Sequence, residues 1–114
     1  MSDIAHTDAV IVLTNLPDRE AALKLAQALV EQRLAACVNV LAECTSVYRW
    51  KEAIETAQEV PLLIKTRAAL YAEVEAAIRR YHPYELPEIV AVPMMRAFPE
   101  YLEWVTAETT ISIG

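Results

Sequence analysis

Along this chain the hydrophobic repeat alternates between the period of two expected of a strand and the 3.6 expected of a helix. Ala9 to Thr14 (AVIVLT) is a β-branched apolar run continuous enough for a central strand covered on both faces. It stops at Pro17, Asp18 is placed to cap a helix, and Ala22, Leu25, Ala26, Leu29, Val30 and Leu34 recur at helical spacing to about Arg33. From Ala36 to Trp50 the even positions Val38, Val40, Ala42, Cys44, Tyr48 and Trp50 are mainly apolar, which predicts one long strand, bent or bulged. Lys51 to Ala53 reads as a turn, and Ile54, Val60, Leu62 and Ile64 continue at even positions, so the two segments form a long hairpin. Pro61 removes a ladder donor and asks for an edge or a bulge.

Thr66 is a candidate cap for a second helix with Leu70, Val74, Ala77, Ile78 and Tyr81 in one stripe, ended by Pro83. Glu88 to Met94 is a further apolar strand, Pro99 opens a short helix through Ala107, and Thr109 to Ile113 is a candidate last strand. The order β-α-β-β-α-β is that of the α+β, ferredoxin-like split βαβ sandwich with an antiparallel sheet, here with a short C-terminal helix added. The expectation is a single domain over residues 1–114 with residues 1–7 frayed. A hairpin longer than a small sheet requires is expected to pair with another subunit.

Composition narrows the function. Sixteen acidic against ten basic residues give a net charge of −6, which disfavours nucleic-acid binding. The apolar share, 55% with tyrosine counted, is high enough to suggest a subunit interface. The start of the sequence lacks a basic flank and apolar core, and no apolar run reaches the ~20 residues that span a bilayer, so the reading is cytoplasmic with no membrane partner. Cys37 and Cys44, seven positions apart in one predicted strand, would lie roughly 23 Å apart, too far to pair within the chain. The only glycine is Gly114, which excludes a glycine-lined phosphate cradle and hence the familiar nucleotide sites.

Candidate chemistry centres on HPYELPE, residues 82 to 88. A proline forces extended geometry on the residue before it, so His82 and Leu86 sit in a stiff loop. His82 follows a helix C-terminus, whose partial negative charge favours a protonated ring, and Glu85 and Glu88 are near in sequence. As a neutral imidazole it is a metal ligand; its ordinary role is a bond to a carbonyl or to Glu88 that holds the loop. Cys37 and Cys44 read as small buried thiols, Tyr48, Trp50 and Tyr84 as interface, pocket or packing aromatics, and the helix glutamates as solvated faces. The serines and early aspartates supply no triad.

LAACVNV (34 to 40), YRW (48 to 50), LLIKT (62 to 66) and HPYELPE, in this order, resemble the CutA divalent-cation tolerance family from Val10 to about Ala107. The resemblance implies a cytoplasmic homotrimer in which long hairpins complete neighbouring sheets, as in the PII signalling proteins. It implies a response to divalent metals, copper binding in some members, a link to acetylcholinesterase anchoring in animals, and no enzymatic activity. Copper ligands in bacterial relatives correspond to Thr14, Tyr81 and His82 here, of which only His82 is a match. Glu52 stands where relatives have a turn glycine, and Pro61 in a strand usually free of proline. The resemblance further implies that Cys37, Asn39, Tyr48, Trp50, Lys65, His82, Tyr84 and Glu88 meet at clefts between subunits, with His82 and Glu88 contacting copper, another divalent cation or a small anionic or zwitterionic ligand. The alternative is a PII-like regulatory module binding a small molecule or partner protein there. An acylphosphatase would want an arginine in a glycine-bearing loop after the first strand, where Asn15-Leu16-Pro17 stands, and an RNA-recognition domain would want a basic face.

Overall fold

The computed structural model describes residues 7–111. Five strands run β1 (Ala9–Leu16), β2 (Cys37–Val40), β3 (Cys44–Trp50), β4 (Ala53–Arg67) and β5 (Val90–Pro93). The helices are α1 (Arg19–Glu31), α2 (Tyr71–Tyr81) and α3 (Pro99–Glu108), with a short 3-10 turn, Ala68–Leu70, leading into α2. The main sheet is antiparallel in the order β2-β4-β1-β5, which is the expected split βαβ arrangement once β2 and β3 are counted as one interrupted strand. The AVIVLT run is central, between β4 and β5.

One face of the sheet is packed by α1 and α2. Val12 and Leu16 of β1, Leu62 and Ile64 of β4, Leu25 and Leu29 of α1, and Val74 and Ile78 of α2 form a closed core. Asp18 caps α1 as expected, its carboxylate accepting from the Ala21 N–H at 2.8 Å. The helix ends in a Schellman motif: Leu34 N–H donates to the Leu29 carbonyl at 2.9 Å and Arg33 N–H to the Val30 carbonyl at 3.1 Å. Arg33 takes the left-handed conformation (φ 58°) usually given to glycine. Val30, expected on the buried stripe, is instead exposed.

Three further expectations are corrected. Thr66 does not cap α2; it is buried inside β4, where its hydroxyl donates to the Leu34 carbonyl at 2.7 Å, and the leading turn has no side-chain cap. Thr109 and Thr110 do not begin a strand: Thr109 ends α3, and its hydroxyl donates back to the Val105 carbonyl at 2.7 Å. Residues 112 and 113 of that segment lie outside the described residues. Of the segment expected to fray, residues 1–6 lie outside them too, while the Thr7 hydroxyl is tied to the Met94 carbonyl.

The third correction concerns the long strand, which Pro61 divides. Leu41 N–H donates to the Pro61 carbonyl at 2.9 Å, and proline has no N–H with which to return the bond. Val40 is opposite Leu62, whereas Cys44 is opposite Glu59, so Leu41 to Glu43 face only Val60 and Pro61. This is a one-residue bulge, and it inverts the alternation of faces. Cys44, Ser46, Tyr48 and Trp50 therefore lie on the same face as Glu59, while Val38 and Val40 turn to the opposite face with Leu62 and Ile64. The even positions of the sequence do not make a single face.

Candidate functional site

Beyond Val60, the last β4 residue paired with β1, Ala53 to Glu59 pair, among the described residues, only with β3 and project as a two-stranded ribbon. The ribbon closes through Lys51 (φ 47°) and Glu52 (φ 69°), whose paired left-handed conformations define a type I′ turn. In residues with a Cβ each such conformation costs about 1–2 kcal/mol. Lys51 Nζ lies 3.9 Å from Glu85 Oε1 of the loop after α2 and 5.5 Å from the centre of the Trp50 ring. Between ribbon and loop is a cavity of about 850 Å³ whose walls include Asn15, Tyr48, Trp50, Glu59, Tyr84 and Glu88.

The loop is fastened to the end of β1. His82, extended at φ −84° and ψ 132° as a residue before proline requires, is 8% exposed. Tyr84 N–H donates to its Nδ1 at 3.2 Å, and its Nε2 lies 2.6 Å from the Asn15 carbonyl, where only an Nε2–H can make the bond. The ring is thus a neutral brace between two backbone groups. Asn15 is held a second time, its side-chain amide donating to Glu88 Oε1 at 3.1 Å. The Tyr84 ring lies against the imidazole, centroids 4.6 Å apart.

Opposite the loop, Glu59 reaches the cavity from β4 and is only 7% exposed. The Tyr84 phenol lies close to its carboxylate. Burial first, then the nearby Glu59 carboxylate, with smaller effects from Tyr48 and Asp18, push the Tyr84 phenol up to about 12.

The sequence-derived residues separate into two groups. Tyr48, Trp50, Tyr84 and Glu88 line the cavity, with His82 behind its wall. Cys37, Asn39 and Lys65 form a second patch: Cys37 is opposite Lys65 on neighbouring strands, and Lys65 Nζ donates to Asn39 Oδ1. Lys65 is six positions from Glu59, roughly 20 Å along β4. Tyr101 of α3 approaches this patch, its phenol raised by burial and then by Cys37. Sequence reasoning missed Asn15 and Glu59. The signal for Glu59 was a charge two positions before Pro61, at the break in an apolar pattern.

A family model described as CutA1 divalent ion tolerance protein matches residues 10–108. The chain belongs to this family. Among CutA relatives, the divalent-cation tolerance protein CutA of Thermus thermophilus is 42% identical over 99 residues, 87% of this chain and 96% of that protein. The crystal structure of CutA from Xylella fastidiosa superposes with a TM-score of 0.89 at 40% identity, covering 91% of this chain and all of that one. The periplasmic divalent cation tolerance protein CutA from Archaeoglobus fulgidus gives 0.87 at 33% identity, covering 90% of this chain and 99% of that one.

The CutA1 name turns attention to metal donors. Among the described residues no three His, Cys, Asp or Glu side chains gather as a metal site. Both His82 nitrogens are bonded to the backbone, Tyr81 is exposed, and Thr14 is buried on the helix side of the sheet with its hydroxyl unpartnered among the described residues. One chain in this arrangement does not fit a copper ion.

Proposed function

We propose that this chain serves divalent-cation tolerance as a cytoplasmic homotrimer, with the cavity between the ribbon and the 82–88 loop as its working site. The observation that carries the proposal is the convergence of Tyr48, Trp50, Glu59, Tyr84 and Glu88 on one cavity in a chain of this family. Trimer formation is supported by the ribbon, since an isolated two-stranded hairpin is marginal in water. It is supported also by the sheet face away from α1 and α2, where Val92, Ile11, Leu13 and Leu63 lie in adjacent register. In the trimer Cys37, Asn39 and Lys65 are assigned to the second wall of each inter-subunit cleft. Free thiols at Cys37 and Cys44 accord with the cytoplasm. No catalytic residue is assigned.

In the metal reading His82 and Glu88 contact copper or another divalent cation, and other copies supply the remaining donors; His82 must then release the Tyr84 N–H or the Asn15 carbonyl. The commitment of both ring nitrogens favours a second reading, a PII-like module that takes a small molecule in the same cavity or docks a partner protein at the cleft. Isothermal titration of metal-free protein with Cu²⁺ and Zn²⁺, against the double variant His82→Ala, Glu88→Ala, separates the two. Binding lost in the variant is the outcome of the metal reading. Binding unchanged in the variant removes it and leaves the small-molecule site.

A further inference from the structure

We propose that the cavity is a binding site for a small organic ammonium carrying an apolar body, held by the Glu59 carboxylate among the Tyr48, Trp50 and Tyr84 rings. This rests on the small-molecule reading above and names its ligand class. Glu59 is the decisive group. It is more than nine-tenths buried, faces the cavity, and makes no salt bridge among the described residues. Buried charges in proteins are ordinarily paired, because an unpartnered one loses its hydration without return. The Tyr84 phenol near it carries no positive charge.

The other walls indicate which cation completes the pair. Glu85 and Glu88 also line the cavity, against a single guanidinium, Arg49, so the space favours a positive ligand. Arg49 belongs to the other strand face from Tyr48 and Trp50, opposite Ile54 near the ribbon tip. The carboxylates do not gather tightly enough to form a metal-donor group. Charge spread over several walls suits a larger, softer cation, and aromatic faces attract such a group through the ring quadrupole. The rim already shows the pairing on a small scale: the Lys51 ammonium stands over Trp50 with Glu85 beside it. A volume of about 850 Å³ leaves room for an apolar body as well.

The test titrates the full-length oligomer with benzylamine and, in parallel, with benzyl alcohol, its uncharged analogue, by calorimetry at neutral pH. Benzylamine is expected to bind about tenfold more tightly, and Glu59→Gln to abolish that preference. The same substitution is expected to keep or raise the thermal midpoint, since it removes a buried charge with no cationic partner; a marked fall would show that Glu59 is a structural anchor and overturn the assignment. Trp50→Leu, which leaves the carboxylate intact, is expected to weaken benzylamine more than the alcohol. If amine and alcohol bind alike, the cavity stands as a small-molecule site and the ammonium assignment fails. If neither binds, both fail.

Discussion

Tyr84 keeps its proton further into base than a free phenol, first because it is buried and then because the Glu59 carboxylate lies near it. Its value of about 12 lies above the ordinary 10.0, so the folded state holds the proton more tightly than the unfolded chain. The stability this contributes is fully present below pH 10 and is lost as pH rises through about 12. In an absorbance titration of the phenolates, Glu59→Gln is expected to lower the Tyr84 midpoint part of the way towards 10.0, because burial remains after the charge is gone. An unchanged midpoint would mean that Glu59 does not act on Tyr84. His82 was legible at this scale, since its conformation follows from Pro83 and a bond to a carbonyl was one of its two readings. Glu59 was not, because a glutamate acquires its environment from a loop 25 positions further on, and no local pattern carries that information.

At the scale of the element, helix faces and strand runs were readable because their periods are fixed by backbone geometry. Pro61 was readable as asking for an edge or a bulge, and a bulge forms on the partner; what was not readable is that the strand splits there and changes face. The bulge takes up one extra residue, so Tyr48 and Trp50 share a face with Glu59 and not with Val38 and Val40. Deleting Ala42, which would return the partner segment to equal count, is therefore expected to remove the bulge while Cys44 stays opposite Glu59, leaving Tyr48 and Trp50 on the cavity face. The check is fluorescence quenching of Trp50 by a soluble quencher in a Trp104→Phe background. Quenching that rises markedly above the parent would show that the ribbon has slipped to another register. Thr66 was misread as a cap for a similar reason: β4 runs through it to Arg67, and a hydroxyl bonded to a distant carbonyl looks, in sequence, like a cap.

Across the whole molecule, the sheet has one face closed by α1 and α2 and another that remains apolar and partly open. Val92 is 45% exposed at the end of the row containing Ile11. Val92→Glu is expected to break the proposed trimer; light scattering should then fall from three times the 12.8 kDa chain mass towards one. A variant that keeps the full mass would place the interface elsewhere. The strand order itself was legible because the succession of elements admits few topologies. The same order also constrains time. Among the described residues, β2 and β3 pair only with β4, and β1 pairs only with β4 and β5. During synthesis, then, β1, β2 and β3 have no strand partner among themselves. The apolar AVIVLT segment must wait on the ribosome, unpaired, until the fourth strand has emerged, and the sheet is assembled backwards from a spine made after most of its neighbours.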